Sequence, residues 1–185
     1  MLNSRDISLL RDDVERNCRT FITLCKEKGL SVLVTTTVRD DEYQLLCYKN
    51  GKSKSKVPTF HSVKAGLAFD YCQNIKGREY EAAFYAATAP LAKKMGFTWG
   101  GDWKAIVDKP HLQWDDHGAY SGTDILRGNY PPEMPTCESE DNMTKNEAKV
   151  IVKEKTGLSN ETISYIADYY AYGEKTIIKL AEAMK

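Results

Sequence analysis

Apolar residues recur at helical spacing from Val14 through Cys18, Phe21 and Ile22 to Cys25, the pattern of a helix buried on one face. Asp12 and Asp13 suit its start, as a cap or as first-turn anions, and Gly29 suits its end. The period then drops to two. Leu30–Thr37 is alternating and β-branched, which predicts a strand, with Arg39 just past its end. Asp40, Asp41 and Glu42 open a second helix and Gly51 closes it, leaving Lys52–Pro58 as a loop. A short apolar run from Leu67 to Cys72 reads as a second strand, interrupted by one carboxylate, Asp70. Glu79–Met95 is rich in alanine and predicts a helix in which Pro90 makes a kink or a break. Phe97–Trp99 and His111–Trp114 complete the strands, the first of them before a Gly-Gly turn.

Beyond Gly118 the pattern loosens. Gly118–Pro135 has turn residues and no steady period. Pro131–Asn142 holds three prolines and four acidic residues with no basic one, the composition of a linker. Helical signals then return. Thr144–Glu147 is a capping box, and Ala148, Ile151 and Val152 follow before Gly157. Ser159 or Asn160 can cap a second helix carrying Ile163, Ile166, Ala167 and Tyr170, ended by Gly173, with a third over Thr176–Met184. The chain is thus read as a domain over 1–130, a linker over 131–143 and a helical module over 144–185. Three short helices cannot build a large core, so the module packs on itself, on the first domain or on a second copy. The fold class is α+β: a small antiparallel sheet with flanking helices, plus the module.

The 185 residues carry no net charge, with 42% hydrophobic and 28% charged. Balanced charge argues against a nucleic-acid binder held by phosphate attraction. No run approaches the ~20 apolar residues of a membrane span, and Met1–Asp6 begins no apolar leader segment, which predicts a chain made without a signal peptide. Five cysteines form no Cys-x-x-Cys pair and fall mostly in apolar segments, as reduced buried thiols do. The basic stretch Lys49–Lys56 reads as a solvated loop.

Candidate chemistry gathers on few residues. The chain has three histidines, His61, His111 and His117. A carboxylate such as Asp70 inside an apolar strand needs a partner, and a divalent metal or an arginine would serve. Pro110 pushes Lys109 into an extended conformation, so Asp108 lies in a loop while His111 opens a strand. His117, between Asp116 and Gly118, reads as a loop residue and not a ligand.

Thr59-x-His61, Gly66-x-Ala68-x-Asp70 and Asp108-x-x-His111 together resemble the zinc peptidases of the D-Ala-D-Ala carboxypeptidase and L-alanyl-D-glutamate endopeptidase family, whose pattern is Ser/Thr-x-His, Gly-x-Ala-x-Asp and Asp/Glu-x-x-His. Thr35–Arg39 with Gln44, and Gly96–Trp103, resemble further family segments, so the likeness extends over about the first 130 residues. The His61–Asp70 spacing is longer than the family's, which implies an insertion around Val63–Ala65.

The resemblance implies a hedgehog/DD-peptidase-like fold with His61, Asp70 and His111 holding Zn²⁺. Two imidazoles and one carboxylate leave the fourth position open, as catalytic zinc requires. Asp108 is implied as the general base. Arg39 would oppose negative charge on the oxyanion or on a substrate carboxylate, or else form a structural ion pair. Trp99 and Trp103 either line a groove or pack on the sheet. The implied partner is bacterial peptidoglycan, and the implied activity is a stem-peptide endopeptidase cutting L-Ala–D-Glu. A D-Ala-D-Ala carboxypeptidase and a non-catalytic zinc-containing wall binder are the alternatives. Without a leader segment, such an enzyme fits a phage lysin held in the host cytoplasm until release, its module serving wall binding or self-association.

Overall fold

Four strands form one antiparallel sheet in the order β1-β2-β4-β3, with β1 at Val32–Thr36, β2 at Ala68–Gln73, β3 at Thr98–Trp99 and β4 at His111–Gln113. The computed structural model describes residues 1–136, 145–169 and 173–184. It divides into two compact units, Met1–Cys137 and Glu138–Lys185. This is the α+β architecture expected from the pattern.

Strand alternation decides what each face of the sheet carries. Phe69 and Tyr71 of β2 and Leu112 of β4 are fully buried. Helix α1, Asp12–Glu27, supplies Phe21, whose ring meets Tyr71 edge-on at 5.3 Å. Helix α3, Ala82–Lys94, supplies Phe84 and Tyr85 to the same aromatic cluster. Phe97, just before β3, meets Phe69 at 5.3 Å. The intervening residues, Asp70, His111 and Gln113, share the opposite face, with Asp70 paired directly across from His111. One sheet therefore carries an aromatic core on one side and polar chemistry on the other.

Most of the expected elements appear. Asp40 caps α2, Asp41–Lys49, by accepting from the Tyr43 N–H at 2.8 Å. Pro90 lies within α3 and does not end it. A short helix α4, Gly122–Leu126, stands where no period was visible. It is held by a capping box between Ser121 and Asp124.

In the first unit two expectations are refined. Asp12 and Asp13 stand in the first turn of α1, as one of the two readings had it, and neither caps the helix, whose N-cap is Arg11 without a side-chain bond; Asp13 is tied elsewhere. It is buried, forked to Arg11 at 2.7 and 2.6 Å, and accepts from the Met134 N–H. Burial pushes its carboxyl up, but these partners more than offset it and hold the pKa below the ordinary value. The linker likewise does not start at 131. Pro131 and Pro132 carbonyls accept from Arg11, Pro132 also from Trp114 Nε1 at 2.8 Å, and Pro135 from Asn17 at 2.8 Å. Met134 is fully buried in the core. Prolines without N–H groups offer only carbonyls, and Arg11 before α1, Asn17 within it and Trp114 after β4 supply the donors. The rest of the expected linker, with Cys137 and the Thr144 cap, lies outside the described residues.

The second unit contains α5, Lys145–Thr156, α6, Asn160–Tyr169, and α7, Gly173–Ala183. Its described core is Ala148, Val152, Ile163, Ala167, Ile177 and Ala181. Gly173 does not end α6 but opens α7. A Cβ there would stand 2.3 Å from the Ile166 carbonyl, so the missing side chain is what lets the two helices approach. Tyr170, expected on α6, lies outside the described residues.

Candidate metal centre

His61 sits in the turn before β2. Its backbone carbonyl accepts from the Arg39 N–H at 2.8 Å. Strand β1 carries a bulge between Val34 and Thr36 opposite β2. Just past it, the Thr37 carbonyl stands 2.6 Å from His61 Nδ1. A carbonyl only accepts, so Nδ1 carries the proton and His61 Nε2 is left as an acceptor. The segment read as an insertion is a compact turn. The Ala65 and Gly66 N–H groups both donate to the Ser62 carbonyl, and Gly66 is left-handed at φ 59°. A Cβ on Gly66 would lie 2.7 Å from the Arg11 nitrogen, so only glycine fits where this turn meets α1.

His61 Nε2, Asp70 Oδ1 and His111 Nδ1 converge. The ring nitrogens lie 3.2 Å apart, and Asp70 Oδ1 is 3.2 Å from the first and 3.1 Å from the second. Three ligands of tetrahedral zinc at 2.0–2.1 Å stand about 3.3 Å from one another. The triangle therefore matches zinc in size as well as in donor type. Among the described residues these three are the group able to hold a metal ion. Both imidazoles are buried, and Asp70 is about a fifth exposed.

The electrostatics divide the two histidines. Burial lowers the pKa of His61, only partly opposed by Asp70. For His111 burial acts in the same direction, but Asp70, Gln113 and Asp108 together raise the pKa above the ordinary value. Burial also disfavours charge on Asp70, yet the two imidazoles hold it well below the usual carboxylate range. Asp70 is thus an anion available to a cation.

Around the triangle lies a cavity of about 390 Å³, lined by Arg39, Asp108, Trp103, Ile106 and the loop Lys52–Ser55. Asp108 is half-buried and lies outside the three-ligand group. Burial raises its pKa, with charge from Asp70 acting in the same direction. Its position depends on Gly100, whose carbonyl accepts from the Asp108 N–H at 2.9 Å. A Cβ on Gly100 would sit 2.4 Å from the Asp108 carbonyl and 3.2 Å from the His111 Cβ. Arg39 Nη2 is 3.8 Å from Asp70 Oδ2, while its Nε is buried with no hydrogen-bond partner among the described residues. Arg39 itself lines the cavity, and such an unpartnered buried donor is an exception among buried polar atoms.

The tryptophans separate. Trp103 lines the cavity, its ring centre 5.1 Å from that of His111. Trp99 belongs to β3 and donates Nε1 to the Lys109 carbonyl at 2.7 Å. His117 has left-handed backbone at φ 58° and meets the Trp114 ring edge-on at 5.7 Å, outside the triangle. Lys52 and Lys54 line the cavity, so the basic stretch is not only a solvated loop. It is held by buried Gln44, whose amide donates to Ser53 Oγ and the Ser55 carbonyl. Sequence reasoning missed Gly100, Gln113 and Asp115. The first needs the approach of two loops to be seen. The others sit at alternating positions after His111, on the face that already carries the ligand.

Residues 54–114 match the family described as D-alanyl-D-alanine carboxypeptidase. That segment contains His61, Asp70, Asp108 and His111, while Arg39 precedes it. The L-alanyl-D-glutamate peptidase of Listeria phage A118 is 32% identical over 126 residues, covering 65% of this chain and 43% of that protein. The chain therefore spans less than half the length of this relative. The peptidoglycan L-alanyl-D-glutamate endopeptidase CwlK of Bacillus subtilis is 29% identical over 119 residues, covering 54% of this chain and 70% of the other. Among solved structures, the L-Ala D-Glu endopeptidase ChiX of Serratia marcescens aligns at a TM-score of 0.50 with 22% identity, covering 65% of this chain and 93% of that one. It supports the fold alone. The resemblance read from the three motifs is thus matched by sequence and by architecture.

Proposed function

We propose that this chain, similar over its site-bearing segment to the D-alanyl-D-alanine carboxypeptidase family, is a zinc-dependent endopeptidase of peptidoglycan stem peptides that cuts between L-Ala and D-Glu. The observation that carries the reading is the buried triangle of His61 Nε2, Asp70 Oδ1 and His111 Nδ1. The bond is inferred from the names of the two curated relatives.

Zinc in such a site supplies Lewis acidity, which polarises a carbonyl and acidifies water toward neutral pH. The rest falls to the chain's own residues. Asp108, on its loop beside the triangle, accepts the proton of the attacking water and returns it to the leaving amine. Its raised pKa brings it closer to the neutral range, where a general base both holds and releases protons. Arg39, lining the cavity, opposes charge with its guanidinium on the oxygen that gains it or on a substrate carboxylate. Trp103 and Ile106 give the cavity an apolar wall against the peptide. The helical unit serves wall binding or self-association. As a lysin, the chain would wait in the host cytoplasm and act on the wall after release. Among the described residues no helix is long and apolar enough to cross a membrane.

The test is mass spectrometry of a defined stem peptide and of purified walls after digestion by the zinc-loaded chain. New L-Ala carboxyl and D-Glu amino ends are expected. Release of terminal D-Ala instead would assign the carboxypeptidase alternative. No cleavage by a zinc-replete protein would leave the wall-binder reading.

A further inference from the structure

A neutral imidazole carries one proton, on either nitrogen, and only the bare nitrogen can bind a metal. The Thr37 carbonyl settles this for His61. His111 is turned the other way. Its Nδ1 faces Asp70 and His61, and its Nε2 lies 2.9 Å from Gln113 Oε1. An amide side chain can present either its oxygen or its NH₂ group, so Gln113 alone does not choose the tautomer.

Nδ1 faces acceptors too, Asp70 Oδ1 at 3.1 Å and His61 Nε2 at 3.2 Å, and without metal they compete for the proton; once those lone pairs are given to a metal, Asp115 settles what Nε2 meets. Gln113 Nε2 is 2.7 Å from Asp115 Oδ2, and a carboxylate only accepts. Asp115 is itself buried, and its other oxygen is occupied by the Thr98 hydroxyl at 2.5 Å and the Gly118 N–H at 2.9 Å. Thr98 is brought there by the β3–β4 register, directly opposite Gln113. Gly118 is brought there by the left-handed pair Asp116 and His117, which turns the chain back on Asp115. We propose that Asp115, acting through Gln113, is a positioning residue that holds the Nε2–H of His111 and so favours Nδ1 as the nitrogen given to the metal. The hydrogen-bond polarity runs one way: His111 donates to the Gln113 carbonyl, and the Gln113 amide donates to Asp115. Outer partners of this kind orient ligating histidines in metal sites generally. What distinguishes this chain is that an amide relays the direction from a carboxylate two residues further along.

The proposal rests on the zinc reading and is independent of the peptidase reading. The experiment uses the full chain, with zinc affinity from chelator competition. In Asp115→Asn the new oxygen stays with Thr98 and Gly118, so the new NH₂ faces Gln113. Gln113 then either turns its own NH₂ toward the Nε2–H of His111 or leaves two NH₂ groups face to face, and both penalise the ring with Nδ1 on the metal. Zinc affinity is expected to fall by about 10–100-fold. In the double variant Gln113→Glu/Asp115→Asn, the glutamate accepts from both neighbours and the formal charge is unchanged. It is expected to restore most of the affinity.

A merely structural role for Asp115 predicts that the double variant is no better than the single one, and that result overturns the proposal. So does an unchanged zinc affinity in Asp115→Asn. Should the single variant fail to fold, loss of zinc affinity in the double variant still sinks the idea. None of these readouts requires hydrolysis. A chain that binds zinc but cuts no peptide defeats the peptidase reading and leaves this one intact.

Discussion

The two units of this chain treat buried polarity in opposite ways. In Met1–Cys137, Asp13, Asn17, Thr37, Gln44, Thr88, His61, His111, Gln113 and Asp115 are buried, nearly all of them in hydrogen bonds between distant segments. In Glu138–Lys185 the described core is alanine, valine and isoleucine alone. A buried polar group costs free energy unless partnered, and a helix bundle has no need of one. The first unit retains most such groups in two places, around the His61–Asp70–His111 triangle and where α1 grips residues 131–135, while Thr88 bonds Tyr71 and Phe84 in the aromatic core. The first concentration is chemical and the second is structural, and removing a group from each has different consequences.

The largest effect is expected at the triangle. His61→Ala, Asp70→Ala or His111→Ala should abolish zinc binding and activity together, because each removes one of three donors. Metal analysis and calorimetry check this. The melting of the first unit should fall, since bound metal supports the fold, while the second unit's transition stays put. His117→Ala should keep its metal. Zinc retained at full stoichiometry in all three ligand variants would break the contrast.

Next comes Asp108. Asp108→Asn should lower kcat by about 10²–10⁴ while leaving zinc content and Tm nearly unchanged. Burial raises this carboxyl, so the acid limb of the unsubstituted enzyme's pH–rate profile should lie above the ordinary aspartate value of 3.8. Loss of zinc in Asp108→Asn would instead make it a ligand.

The structural concentration is tested by truncation. A fragment ending at 137 should fold and bind zinc. One ending at 130 loses buried Met134 and the carbonyls that satisfy Arg11, Asn17 and Trp114. Removal of a buried methionine alone costs about 2–5 kcal/mol. Equal denaturation midpoints for the two fragments would return residues 131–135 to the linker.

The smallest effect is at Asp13. Asp13→Asn keeps the shape and weakens the charged contacts to Arg11 and Met134, for a loss of about 1–3 kcal/mol with activity unchanged. The folded pKa of Asp13 is depressed below 3.8, so its contribution is present above that pH and is lost as pH falls through the folded value. The unsubstituted chain and the variant should therefore converge in stability under strong acid.

Sequence alone carried the alternations and the spacings. The period of α1, the β-branched run of β1 and the apolar stretch around Asp70 each predict an element, because local periodicity reflects which face is buried. The motifs bearing His61, Asp70, Asp108 and His111 were legible as a resemblance, and the structure brings His61, Asp70 and His111 together as a group that could hold a metal ion. Helix α4 was not legible, since five residues are too short to show a period. Nor was Asp13, whose place in a first turn looks like a cap until Met134 is seen against it. Only the tertiary structure decided that prolines 131, 132 and 135 belong to the first unit, that Gly100 admits the Asp108 loop, and that Gln113 and Asp115 stand behind His111. Each depends on segments far apart in the chain meeting in space, and no local pattern encodes which carbonyl a buried arginine or histidine will find.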